Sequence, residues 1–392
     1  MIYLDYAAAT PIDKKVLAAM QPYLADKFFN PSAAYLAARE VRADYEAARH
    51  TLAQMIGARP TEIILTAGAT ESINLALSCI DTGPVGKEKI ITTAIEHPAV
   101  LETAKAKGAK LLPVDNRGRV SLDELKKAIS DETLLVSIGY ANNEIGTTQP
   151  IKEIAEIVRE VREERAKRGL KTPLVFHTDA SQAAGYLDLN VARLGVDMMT
   201  LNAGKCYGPK QVGLLYLRTG VELQPLIRGG GQEMNLRSGT ENIAGAIGFA
   251  KALEIAEKKR KTEIERLQNL RDDLEKRLLA TFARPGLAMK VNGHPKYRLP
   301  NILNFSISGL DGERAIFALD ERGVCVSTGS ACAANKGARS RVLTAIGLTP
   351  EQADGSIRIS LGRGTTKQQI EELKPIIEQV IKNEKKLSVC LS

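Results

Sequence analysis

The chain has 392 residues, 44% hydrophobic and 26% charged, with 54 Lys and Arg against 46 Asp and Glu. That is enough apolar material for two domains with sizeable cores, and it excludes a disordered, collagenous or coiled-coil main state. The net charge of +8 is dispersed among interleaved acids and bases, Trp is absent and aromatics reach only 4%, so no nucleic-acid-binding face or base-stacking platform is expected.

Taken in chain order, the N-terminus meets Asp5 before any apolar run develops. No later segment approaches the ~18 apolar residues of a spanning helix, so no membrane partner is expected, and the cysteine usage fits a cytoplasmic protein with reduced thiols. Strand-length apolar runs then alternate with helix-period segments, the α/β pattern of a mostly parallel sheet. The predicted strands are 62–66, 89–94, 134–140, 174–178, 198–201 and 212–217. Between them Ile151, Ile154, Val158 and Val161 share one helical face, as a crossover helix covering a sheet requires. A change comes near residue 250. Residues 251–279 read as one charged helix with Ile264, Leu267, Leu274 and Leu278 on a common stripe. Beyond it lies a smaller α+β unit: a strand at 302–308, a helix at 313–322, a loop, a strand at 357–361 and a final helix.

Ligands of open α/β sheets bind at the carboxyl ends of the strands, and five predicted strands end in reactive residues. The first runs into Gly68-Ala69-Thr70 at a helix start, which suits a phosphate or an ordinary cap. The second runs into Glu96-His97, where the imidazole suits ring stacking, proton transfer or a satisfied half-buried position. The third runs into Asn142-Asn143-Glu144. The fourth ends at Asp179, with Gln182 beyond; a carboxylate there needs a cationic ring nitrogen or a salt-bridge partner. The fifth runs into Asn202-Ala203-Gly204-Lys205, where small neighbours suit a desolvated Schiff-base amine or a structural lysine. Phosphate turn, stacking imidazole, strand-end carboxylate and buried lysine together are the set that pyridoxal 5'-phosphate requires.

The five cysteines include no CxxC pair, so neither a zinc ribbon nor a redox dithiol is expected, and no metal site. Cys332 lies in a small, polar, basic stretch with Lys336 and Arg339, where a lowered thiol pKa and mobility are expected. Cys325 reads as buried and inert between Val324 and Val326. Cys79 reads as helix core, Cys206 as packing and Cys390 as a frayed tail. Arg358 sits in a strand with Ile357 and Ile359 on the other face, placed for a carboxylate or for an interdomain salt bridge.

The ordered motifs along nearly the whole chain resemble the cysteine desulfurases of the class V aminotransferase family. They include Tyr3-Leu4-Asp5, Asn30-Pro31-Ser32, Glu96-His97, His177 to Gln182, Lys205 with Gly208-Pro209-Lys210, Arg237 to Asn242, Ser330-Ala331-Cys332 and Ser356 to Arg363. The resemblance implies a fold-type I pyridoxal-phosphate enzyme. Its large domain, residues 16–250, would hold a mostly parallel seven-stranded sheet. A smaller α+β domain would comprise 1–15 and 251–392. It further implies that Lys205 binds the cofactor covalently, and that Ala69, Thr70, Asn202 and a partner subunit's Thr240 hold the phosphate of a homodimer. His97 would stack on the ring, Asp179 would pair with its nitrogen and Gln182 with its phenolic oxygen. Asn143 and Arg358 would take the substrate carboxylate. Lys205, His97 and Cys332 would be catalytic, turning L-cysteine into L-alanine and a Cys332 persulfide. The loop length after Cys332 is similar to the group that supplies sulfur to iron–sulphur scaffolds and tRNA thiolation. Departures occur at Asn202 and Gly204, where the family usually has Ser and His, and at Tyr35, Gln211, Met234 and Asn235; they imply a weakened or rewired phosphate site. Another class V reaction, such as an aminotransferase, a lyase or a selenocysteine lyase, and a cofactor-weakened scaffold protein are the alternatives.

Overall fold

The structure, a computed structural model, describes residues 1–78, 88–283, 288–329 and 339–390, the last five by their backbone alone. Twelve strands occur among the described residues. They are β1 (Ile2–Tyr3), β2 (Ile63–Thr66), β3 (Ile90–Thr93), β4 (Lys110–Leu112), β5 (Leu135–Ser137), β6 (Val175–Asp179), β7 (Met198–Asn202), β8 (Gly213–Leu217), β9 (Met289–Asn292), β10 (Ile302–Ile307), β11 (Val324–Cys325) and β12 (Ser356–Ser360).

Seven of them form one sheet in the order β2-β8-β7-β6-β5-β3-β4. The pairs from β7 through β6, β5 and β3 to β4 are parallel, and β8 runs against both its neighbours. Successive residues of a strand point to opposite faces. Ile63, Ile91, Val136, Phe176, Met199 and Leu214 accordingly enter one core. Their neighbours Ile64, Ile90, Leu135, Val175, Met198 and Leu215 enter another on the opposite face. A sheet buried on both faces explains why these strands read as unbroken apolar runs rather than as alternating ones.

The six predicted strands of this sheet are all present, with ends shifted by no more than three residues. The seventh, β4, escapes the sequence pattern because it is a three-residue edge strand with Leu111 largely exposed.

A second core gathers Ile2 and Leu4 from the N-terminus with Leu267, Leu274, Leu278, Phe305, Leu319, Ile357, Ile359 and Ile370. It packs beside an antiparallel sheet of order β12-β10-β9 and the parallel pair of β1 with β11. The long helix corrects the expected start at 251. It spans Ile243–Thr281, 39 residues, or about 58 Å at 1.5 Å per residue. Phe249, Leu253 and Ala256 sit in the first core, and Leu267, Leu274 and Leu278 in the second. The glycines in its first turns hide that start from propensity. They are there for close packing: a Cβ on Gly248 would lie 2.6 Å from Met20 Sδ, and one on Gly245 2.7 Å from Val212 Cγ2. Asn242 caps the helix by accepting a hydrogen bond from Gly245 N.

Candidate active site

The carboxyl ends of β2, β3, β5, β6 and β7 open on one cleft of about 320 Å³, within the ~300–1,000 Å³ of small-molecule sites. The small-unit side of the cleft is closed by Gly329 and Arg358, and Ala7 and Ala8 of the N-terminal segment also line it. Of the expected site residues, Ala69, Thr70, His97, Asn143, Asp179, Gln182, Asn202, Lys205 and Arg358 come together there. Thr240 does not. It is exposed and lines a separate cavity with Tyr45, Glu233 and Glu241. Cys332, Lys336 and Cys79 lie outside the described residues, as does the side chain of Cys390.

After β2 the chain turns through Gly68, whose φ of +133° only glycine holds without strain. Glu71 Oε2 accepts Ala67 N at 3.0 Å, and its other oxygen pairs with Arg237 Nε at 2.9 Å. The turn is therefore braced before the helix Ala69–Ser78 begins. First-turn amides of a helix have no acceptor within the helix, so those of Ala69 and Thr70 are available to an anion.

After β3, His97 caps the helix Pro98–Ala106, its Nδ1 accepting Ala99 N at 3.1 Å. That bond puts the ring proton on Nε2. Burial among protein atoms lowers the imidazole pKa, Lys205 and Arg341 push it the same way, and Asp179 opposes them. The ring is thus neutral, though its outer edge meets the solvent of the cleft.

Glu96, to which the sequence assigned no role, is a buried carboxyl whose pKa is pushed up to about 7 by burial. Asp179 adds to that rise. Hydrogen bonds from Thr93 Oγ1 at 2.6 Å and Gly139 N at 3.1 Å work against it.

Asn142 braces the next turn, its Oδ1 accepting Glu144 N and Ile145 N while its Nδ2 donates to Ile95 O. On β6, His177 joins three strands through Ser137 Oγ at 2.9 Å and Thr200 Oγ1 at 3.0 Å. Burial drives its pKa down to about 4, so it is a neutral bridge. Asp179 accepts Ser181 N at 2.9 Å. No lysine or arginine among the described residues ion-pairs with it. Beside it, Ser181 lines the cleft, and its buried Oγ has no hydrogen-bond partner among the described residues. Gln182 Nε2 donates to Ala7 O at 3.0 Å.

After β7, Asn202 Oδ1 accepts Gly204 N at 2.9 Å, which leaves its amide nitrogen as the donor. Lys205 Nζ donates to Ala7 O at 2.8 Å and Ala8 O at 2.7 Å. Cys206 behind it is buried and its thiol is raised to about 12 by burial, in keeping with a packing role. Cys325 is half-exposed rather than buried, because β11 lies in a two-stranded sheet. Burial, together with Asp320 at 3.8 Å, raises its thiol.

Arg358 is 2% exposed. Its Nη2 pairs with Asp5 Oδ1 at 2.6 Å, and its Nη1 donates to Asn143 O and Gly329 O, both at 2.9 Å. Nε is buried and has no partner among the described residues. Asp5 was legible only as part of a motif. The signal that could have singled it out is the strand-borne arginine itself, since a buried charge demands a counter-charge.

The family model for class-V aminotransferases matches residues 2–373. A cysteine desulfurase IscS of Dictyoglomus turgidum is 44% identical over 397 residues, covering 99% of this chain and 96% of its own. A solved NifS-like protein is similar with a TM-score of 0.87 and 36% identity, covering 97% of this chain and 99% of its own. A structure of SspA in complex with cysteine is similar with a TM-score of 0.76 and 34% identity, over 92% of this chain and 99% of its own. With nearly its whole length matched by the family model and by such relatives, the chain belongs to the class-V aminotransferase family.

Proposed function

We propose that this chain is a pyridoxal 5'-phosphate-dependent cysteine desulfurase that converts L-cysteine to L-alanine and loads the released sulfur on Cys332. The observation that carries the reading is the pairing of Asp179, which lacks a cationic partner among the described residues, with Lys205 in the same cleft. A carboxylate in that state fits a protonated ring nitrogen. The free first-turn amides at Ala69 and Thr70 fit a phosphate, with the Asn202 amide as a further donor. The buried, unpartnered Nε of Arg358 fits a substrate carboxylate, and it is an unmet donor without one. Bound there, the cofactor supplies an electron sink for the carbon that loses a proton.

The chain's residues do the rest. Lys205 would hold the cofactor covalently, and its free amine would take the α-proton of the substrate. The neutral imidazole of His97 stacks on the ring without adding a positive charge beside it. Gln182 and Ser181 serve the phenolic oxygen. Arg358 and Asn143 orient the substrate, with Asp5 holding the guanidinium. The Cys332 thiolate attacks the substrate sulfur: the S–S bond forms, the carbon–sulfur bond breaks, and the carbon takes a proton to give alanine.

The same reading includes a cytoplasmic homodimer, in which Thr240 serves the partner subunit's phosphate site. It divides the chain into a large domain of 16–250 and a small one of 1–15 with 251–392. The sulfur acceptor is a protein such as an iron–sulphur scaffold.

Incubating the protein with L-cysteine and cofactor tests the reading. Alanine is expected in step with persulfide on Cys332, and Cys332→Ala should abolish sulfur release while leaving the cofactor bound. Alanine no higher than in a cofactor-free control overturns it. Turnover that survives thiol alkylation favours another class V reaction instead.

A further inference from the structure

One acid in the cleft wall has no part in the chemistry above. Glu144 is 8% exposed, and burial raises its carboxyl pKa against the opposing influence of Ser340, Arg358 and Arg341. Keeping a carboxyl in such a place is unfavourable unless its contacts matter.

Its backbone is fixed on both sides. Glu144 N donates to Asn142 Oδ1 at 2.9 Å, and Glu144 O accepts Asn304 Nδ2 at 3.2 Å from β10. On that fixed base the carboxyl bonds one point of the chain that follows Cys332 in sequence and lies beside another that precedes it. Ser340 Oγ donates to Glu144 Oε2 at 2.5 Å. The same hydroxyl accepts Leu343 N at 3.1 Å as the cap of the helix Arg341–Ala345, so its one proton is committed to Glu144. On the other flank, Gly329 has φ +105°, and a Cβ there would stand 3.3 Å from Glu144 Oε2. Gly329 is held in that position by its own amide, which donates to Ser327 Oγ, and by its carbonyl, which accepts Arg358 Nη1. Cys332 follows Gly329 by three residues and precedes Ser340 by eight.

We infer that Glu144 is a positioning residue for sulfur transfer: through Ser340 it anchors the chain that follows Cys332 to the wall of the cleft. The inference rests on the desulfurase reading. An anchor eight residues after Cys332 favours the approach of its thiolate to the substrate sulfur by orientation. The removal of the α-proton, which needs Lys205, does not depend on this hold.

The test separates the two steps in the cofactor-loaded protein. The rate of persulfide formation on Cys332 after mixing with L-cysteine is compared with deuterium exchange at the α-carbon of L-alanine, for Ser340→Ala, Glu144→Ala and Glu144→Gln. Losing a hydrogen bond to a buried carboxyl corresponds to about tenfold or more, so Ser340→Ala and Glu144→Ala are expected to slow persulfide formation by that factor. Exchange should stay within about twofold of wild type, a change that reflects no lost hydrogen bond. Glu144→Gln keeps an oxygen for the Ser340 hydroxyl and should retain most of the rate.

Persulfide formation at the wild-type rate in Ser340→Ala, or an equal fall in both steps in all three variants, overturns the inference while the desulfurase reading stands. A wild type that makes no persulfide overturns both.

Discussion

Two buried arginine–carboxylate pairs differ in one respect that separates scaffold from site. Arg49 packs against Glu233 with every nitrogen used. Nε meets Glu46, Nη1 meets Ile63 O and Glu233 Oε2, and Nη2 meets Glu233 Oε1. Glu233 in turn accepts Tyr45 OH at 2.7 Å and Leu65 N at 2.6 Å. It does so from a backbone in the left-handed region, φ +44°, followed by Met234 and Asn235 at +58° and +64°. Such a run in non-glycine residues is strained and persists only where the surroundings over-determine it. Arg358 also has an acid partner and carbonyl acceptors and lines the cleft, but its buried Nε has no partner among the described residues. A saturated buried pair has nothing left to offer a ligand. An unsaturated one does, and burial makes its remaining donor strongly directional.

The largest effect should come from breaking the saturated pair. Glu233→Ala removes the buried counter-charge of Arg49 and leaves only the more exposed Glu46, a loss of up to about 3–5 kcal/mol. Chemical denaturation should register it as a fall in midpoint, and a drop below about 1 kcal/mol would show that the network is not a scaffold.

Next comes an acid that is neither saturated nor paired with a cation. The Glu96 carboxyl has a pKa near 7 in the folded chain against a reference of 4.5. Between those values the unfolded chain has lost the proton and the folded chain retains it, so stability falls as pH rises from about 4.5 to about 7. The fall amounts to at most about 3 kcal/mol. Glu96→Gln should flatten that part of the stability–pH profile, and an unchanged slope would contradict the assignment.

Arg358→Lys tests the unsaturated pair. A lysine keeps the charge but loses the fork, so the KM for L-cysteine should rise about tenfold to a hundredfold, with a smaller stability change than Glu233→Ala. A KM that stays put while stability collapses would move Arg358 to the scaffold class.

The smallest effect is a gain. A Cβ on Gly204 would approach Asn202 Oδ1 at 3.3 Å and Lys210 only at 3.8 Å, so a side chain fits there with a small shift of Asn202. Gly204→His adds one donor toward the phosphate side of the cleft and should tighten cofactor binding by about tenfold. Titration of cofactor absorbance would reveal it, and unchanged affinity would mean that the Asn202 turn already satisfies the site.

Composition and pattern alone determined the α/β class, six of the seven strands of the main sheet and the residues at five strand ends. Burial on both faces of a parallel sheet leaves long apolar runs that end abruptly where the chain reaches the ligand edge. The motifs added the family and the expectation for Cys332. Only the tertiary structure decided which polar residues are already satisfied. The acceptors of Lys205 lie at Ala7 and Ala8, nearly two hundred residues away in sequence. The counter-charge of Arg358 is Asp5, from the opposite end of the chain. Glu144 meets Ser340, also nearly two hundred residues away in sequence. The glycine-bearing start of the long helix and the edge strand β4 also emerged only in three dimensions, since close packing and edge pairing leave no periodic trace. A hydrogen bond between distant segments depends on where the chain folds back, and local propensity and spacing carry no record of that.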